Sequence, residues 1–183
     1  GQNKAVVSVT RINRFFGLDW RAISEMYAST WVRANRPDSN HNILITCVDS
    51  AKTRVAISKL FIEGKGYEPY NKSMYWLDFG NLKSTGQAVL GTVQEVKQPE
   101  SKFETTGKLK NIVELLPGIK TIKEKDQGPS CSLAEALQKQ DLFINSTLAN
   151  LGMDLLWKLF SGSIRHHAVY LNLESMNVNA VKV

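Results

Sequence analysis

Two features of this sequence carry chemical potential: a carboxylate at the end of an apolar run, and a cysteine just ahead of a helix start. The run is Ile43-Leu44-Ile45-Thr46-Cys47-Val48, closed by Asp49 and Ser50. Residues this apolar and this rich in β-branching predict a strand buried on both faces, as in a parallel sheet. Ser50 is a suitable N-cap, and Val55, Ile57, Leu60 and Phe61 continue at helical spacing. Asp49 therefore stands where a strand gives way to a helix, the place at which open α/β sheets bind ligands. Its ordinary role would be to help cap that helix, and the segment alone leans slightly that way.

Cys131 follows Gly128-Pro129-Ser130 and precedes a Ser132…Glu135 capping box. The positive end of the helix would lower its pKa and favour thiolate, the nucleophilic form. A small side chain filling an apolar gap is an equally good account of a free cysteine. Cys47 lies within the apolar run and reads as structural, because burial would raise its pKa and block access. Cys131 and not Cys47 is therefore the thiol expected to react with iodoacetamide in the native protein. His41, His166 and His167 have no metal-site spacing with carboxylates, and His166-His167 reads as the entrance to a strand. The sequence holds no G-x-G-x-x-G and no G-x-x-x-x-G-K-[ST], so the usual phosphate cradle is missing from it.

The elements that must position these residues follow from length and pattern. A chain of 183 residues, 43% hydrophobic, can bury a sizeable core. No apolar run reaches the ~18–20 residues of a membrane span, and no signal peptide is evident. With 23 basic and 17 acidic side chains the net charge is +6, but the lysines are scattered, so nucleic-acid binding is not indicated. Two distant cysteines without a C-x-x-C argue against zinc and disulfides, and favour a reducing cytoplasm.

Ala5, Val9, Ile12 and Phe16 form one face of a first helix, with Gly17 as its stop. Trp20 to Tyr27 reads as a short strand. After the strand ending at Asp49 and its helix, Met74 to Phe79 reads as a central strand and Gly86 to Val93 as its antiparallel return. Residues 94–110 read as a mobile polar loop, and Asn111 to Leu116 as a short helix stopped by Pro117-Gly118. A charged connector then leads to the cysteine segment, giving a cysteine loop over about 119–131. Asp141 to Phe160 is a long helix apolar around most of its girth, expected to be buried against a sheet or at a subunit interface. Ala168 to Leu173 and Val178 to Val183 form a hairpin. Helix and buried strand alternate up to Phe79, which implies a parallel, right-handed βαβ core with antiparallel additions. The expected fold class is α/β, three layers with a mixed sheet.

Several of these segments together resemble the ubiquitin-activating-enzyme superfamily of ThiF/MoeB-like adenylyltransferases, and among them the ThiF family of bacterial PRTRC cassettes. Gly1-Gln2-Asn3-Lys4-Ala5 is similar to the family's G-x-x-K-A at a helix start. Cys47-Val48-Asp49-Ser50 with Arg54 is similar to its strand-end Asp and the Arg of the following helix. Tyr75 to Asn81 and Gly86 to Gly91 match the next strand and its return. Pro129-Ser130-Cys131-Ser132-Leu133 resembles the P-x-C-T-[IL] segment around a thioester cysteine, and Asp141 to Phe160 the long helix after it. The resemblance covers nearly the whole chain. It implies a Rossmann-like domain that uses ATP and Mg²⁺ to adenylate the C-terminal carboxylate of a ubiquitin-like or sulfur-carrier-like protein. Lys4 would contact the ATP phosphates, Asp49 would hold Mg²⁺, Arg54 would support the site by pairing or packing, and Cys131 would accept the acyl group. A cytoplasmic homodimer is expected. The family's N-terminal glycine-loop β-α-β unit, acidic ribose ligand, Arg and zinc cysteines have no counterpart here, and Ser132 replaces the commoner Thr. On this resemblance residues 1–183 correspond to the C-terminal portion of a ThiF-like domain. The rival expectation is a non-catalytic partner-binding or dimerisation module that keeps the fold.

Overall fold

The computed structural model describes residues 2–24, 42–63, 73–102, 105–121 and 140–183. The chain divides into two units, Gly1–Arg36 and Pro37–Val183. In the first, helix α1 (Lys4–Phe16) begins where the Asn3 side chain accepts from the Ala5 and Val6 amides at 2.9 and 3.4 Å. It ends at Gly17, whose φ of +64° suits a residue without a Cβ. Trp20 does not open a strand, because its backbone is already engaged. Its N–H donates to Asn13 Oδ1 at 2.9 Å and its carbonyl accepts from Asn13 Nδ2 at 2.7 Å. Residues 18–24 have no regular structure, and the remainder of the expected strand lies outside the described residues.

In the second unit, strands β1 (Ile43–Thr46), β2 (Tyr75–Asn81), β3 (Thr85–Thr92), β4 (His166–Asn172) and β5 (Asn177–Lys182) form one sheet in that order. β1 and β2 are parallel and are connected through helix α2 (Ala51–Glu63); every other pair is antiparallel. The unit is thus α/β with a mixed sheet. Strand alternation sorts side chains onto two faces. On one, Leu77, Ala88, Leu90, Val169 and Leu171 pack against helix α4 (Ile144–Phe160), the third helix, α3 (Ile112–Leu115), lying on the other side. There Trp76, Val89 and Ala168 pack with Ala51 and Ile57 of α2 and with Ile112 and Val113 of α3. A 3₁₀ turn, Pro117–Thr121, adds Ile119 to this second core; proline and glycine end α3 without ending helical geometry.

Several expectations need correction. β1 is not buried on both faces: Ile45 remains 45% exposed, and among the described residues no strand lies beyond β1. Cys47, one residue past β1, is likewise exposed. The loop after β3 is tied down at its return: Thr92 and Leu109 exchange backbone and hydroxyl hydrogen bonds, and the Leu109 side chain is buried. The long helix starts at Ile144. Asp141 instead caps the preceding turn, its side chain accepting from Phe143 N at 2.8 Å while its own N–H donates to Lys83 O. One stripe of α4 is buried, through Ile144, Leu148, Gly152, Leu155 and Leu156. Its opposite side leaves Met153, Trp157 and Phe160 exposed, so the expected burial of most of its girth is not met within one chain. His167 does stand in the strand entrance, buried, with Nδ1 bonded to Leu90 O at 3.1 Å; burial lowers its pKa and favours the neutral ring.

Gly152 sets how closely α4 approaches the sheet. A Cβ there would lie 2.1 Å from Cε1 of Phe79 and 3.1 Å from the Cβ of Ala88. Alanine gains about 1 kcal/mol of helix propensity, but overpacking costs typically about 1–3 kcal/mol. Gly152→Ala is expected to lower unfolding stability in urea, and Phe79→Leu in the same chain to restore most of the loss. A Gly152→Ala protein more stable than wild type would show that the Phe79 ring swings clear.

Candidate functional site

The carboxyl end of β1 is built from three consecutive elements. The chain leaves the sheet after Thr46, runs through Cys47, Val48 and Asp49, and enters α2 at Ser50. Ser50 is the cap: its hydroxyl accepts from Thr53 N at 3.1 Å and its carbonyl from Arg54 N at 3.2 Å. Asp49 is exposed, and no hydrogen bond or ion pair engages it among the described residues. Its carboxylate is therefore spare at a strand–helix corner whose capping is already satisfied.

Beneath this corner lies a dry polar cluster. Arg54, one turn into α2, points back into the sheet and is buried. Its Nε donates to Asp78 Oδ2 at 2.8 Å, and its Nη2 to the carbonyls of Phe79 at 2.7 Å and Val48 at 2.5 Å. Asp78 lies opposite Thr46 in the β1–β2 register and is inaccessible to solvent. The Thr46 hydroxyl donates to Asp78 Oδ1 at 2.5 Å and accepts from Trp76 Nε1 at 2.7 Å. Gly80 leaves room for the guanidinium: a Cβ there would stand 2.8 Å from Arg54 Nη2 and 2.5 Å from Gln87 Nε2.

Burial pushes the Asp78 carboxyl upward, while the Arg54 charge and the hydrogen bonds from Thr46 and Arg54 pull it back; the net direction is up. A buried pair of this kind adds little net stability. What it does is geometric. Arg54 ties β2 to the Val48 carbonyl, and so fixes the backbone that carries Asp49. With these bonds Arg54 is committed to the fold, and its place is that of a positioning residue. Asp78, Thr46, Trp76 and Gly80 were not singled out from the sequence. The signal was present, since a carboxylate within Tyr75-Trp76-Leu77-Asp78-Phe79 must find a cation once that strand is central.

Lys4 is the first residue of α1, exposed, in the N-terminal unit. Cys131 and its capping box lie outside the described residues. Cys47 is the cysteine this corner presents. Burial of its sulfur pushes the thiol pKa up, Asp78 pushes further and Arg54 opposes. Among the described residues no cluster of three or more His, Cys, Asp or Glu is placed to hold a metal, and no helix is long and apolar enough to cross a membrane. No protein-family model and no curated protein matches the chain.

Two measurements follow. Arg54→Met leaves Asp78 buried without its cation and is expected to cost about 3–5 kcal/mol in urea unfolding. The loss should shrink as pH falls, because a protonated Asp78 carries no unpaired charge. Arg54→Met with Asp78→Leu should recover most of the stability at neutral pH; failure to recover would mean the pair does more than balance charge. For Cys47, exposure with a raised pKa predicts alkylation by iodoacetamide in the native protein. It should be slower than a free thiol at neutral pH and accelerate about tenfold per pH unit with thiolate fraction. Peptide mass spectrometry reads this directly, and a Cys47 inert in the native state at high pH would contradict its exposure.

Proposed function

We propose that these residues belong to a ThiF-like adenylating enzyme with a Rossmann-like core, whose parent protein activates the C-terminal carboxylate of a ubiquitin-like protein. The observation that carries this reading is Asp49: an exposed carboxylate with no structural partner among the described residues, at the carboxyl end of a parallel strand, beside a helix already capped by Ser50. That is the ligand end of an open α/β sheet. The motif resemblance supplies the chemistry. Further support comes from β1, whose apolar residues fall on both faces although no described strand lies on its outer side, as suits a strand made to lie beside another parallel strand.

A lone carboxylate suits Mg²⁺ carried on nucleotide phosphates better than a resident ion, because Mg²⁺ is commonly held by one or two carboxylates plus phosphate oxygens. When bound, the ion would neutralise charge on the phosphates. Asp49 would orient it, and the Arg54–Asp78 pair would keep Asp49 in register through Val48. In the reaction an acyl carboxylate oxygen bonds to the α-phosphorus as the bond to pyrophosphate breaks. Cys131 thiolate would then attack the acyl carbon and AMP would leave. Lys4 would add positive charge at the phosphates. The phosphate cradle must come from outside these 183 residues, since no glycine-rich loop occurs in them. That same absence favours the second reading, a partner-binding or dimerisation module that keeps the fold without catalysis.

Asp49→Asn separates the two. With the adenylating protein, ATP–pyrophosphate exchange is expected to fall at least about a hundredfold, the scale of losing one electrostatic stabiliser of the transition state. Stability should stay within about 0.5 kcal/mol, as for an exposed site. Near-normal exchange by the Asn variant would remove Asp49 from the chemistry, and no exchange by the wild type would leave the module reading.

A further inference from the structure

β5 stands last in the strand order, and among the described residues no strand pairs with its outer edge. Such an edge offers unpaired N–H and C=O groups, which proteins normally guard with lysine, proline, bulges or inward-pointing charge. β5 has almost none of these. Its sequence is Asn177-Val178-Asn179-Ala180-Val181-Lys182, without proline and with its only charge at the last position. The ladder irregularity lies at the far end of its pairing, between His166 and Ala168 of β4. All of β5 except Val181 is exposed, including Val178 at 50%. The hairpin tip is unusual too. The Asn172 side chain folds it by accepting from the Glu174 and Ser175 amides. Met176 then sits at φ +55°, a strained conformation for a non-glycine residue, with its side chain 80% exposed.

We propose that β5 is a self-association edge, where two copies of this chain pair β5 with β5, antiparallel, about a two-fold axis at Asn179. An antiparallel two-fold keeps each sheet face on its own side, so the axis must pass where a residue meets its own copy. Centring on Asn179 sets Val178 against Ala180 of the other copy. Both lie on the face covered by α4, since Val178 pairs Leu171 and Ala180 pairs Val169 within the hairpin. Met176 meets the stem of Lys182, and the two Asn179 amides face each other. The Glu174 tip of each copy comes beside the other's basic end, with Arg165 and Lys182, and no like charges oppose. Centring on Ala180 would instead set Val178 against Lys182. This complementarity of edge, apolar pair and charge selects a second copy as occupant. A six-residue edge is well below the ~1,200 Å² of a standard stable interface, so the pairing is reversible and concentration-dependent. The inference is independent of the adenylation reading, and its test reads mass, not activity.

Sedimentation velocity across micromolar to near-millimolar concentration should show monomer passing to dimer. Asn179→Lys and Asn179→Glu each set like charges on the axis. Each should weaken dimerisation about tenfold or more, while circular dichroism and the melting temperature of the monomer stay unchanged. An equimolar mixture of the two variants should restore the dimer, because Lys then meets Glu. A wild type monomeric throughout would overturn the proposal. So would a dimer insensitive to both variants, variants that lose it without recovery on mixing, or a dimer dissolved only by Trp157→Lys on the outer side of α4.

Discussion

A carboxylate with no access to water sits in the second strand, and much of the C-terminal unit is arranged around keeping it paired. Asp78 cannot be ionised there alone, and the nearest way to satisfy it is a guanidinium delivered from α2. Once Arg54 makes that reach, the remaining geometry follows. α2 must dock over the β1–β2 pair, position 80 must lack a side chain, and the Val48 carbonyl must turn toward Nη2. Thr46 and Trp76 extend the network across the strand pair, so both Asp78 oxygens are engaged. Buried charge pairs seldom raise net stability, and the consequence here is specification of a single docking arrangement for the helix.

The opposite face of the sheet is organised without charge. α4 lies on β2, β3 and β4 through leucine and isoleucine side chains, and Gly152 lets its backbone approach the Phe79 ring. The two faces thus use different means. One is an apolar interlock that tolerates volume-conserving change; the other is a polar lock that loses both partners' satisfaction if one is removed. The corner bearing Asp49 sits over the polar lock. The exposed Asp49 carboxylate thus stands on a base of buried, mutually bonded side chains.

The outer surfaces carry what the fold leaves unpaired. α4 presents aromatic side chains on the side away from the sheet, and β5, the last of the described strands, carries a single charge.

Much of the architecture was legible from local pattern. The Gly17 stop, the Ser50 cap, the short helix after Asn111, the β2–β3 return and the terminal hairpin all follow from residues within a few positions of one another. α4 was also legible, within three residues of its start, because a sustained apolar period is a strong signal. What local pattern could not contain was who lies across space. Ile43 to Val48 reads as an interior strand, yet among the described residues no strand lies beyond β1, and Ile45 and Cys47 are exposed. Trp20 has strand-like neighbours, but an asparagine side chain seven residues away takes its backbone groups. The sequence by itself determined many of the helix stops, caps and strand turns, because these depend on residues a few positions apart. Only the tertiary structure decided that Arg54 belongs to Asp78, 24 residues distant, and that Asp49 is exposed. Burial and charge pairing depend on non-local neighbours, and strand order is what sets them.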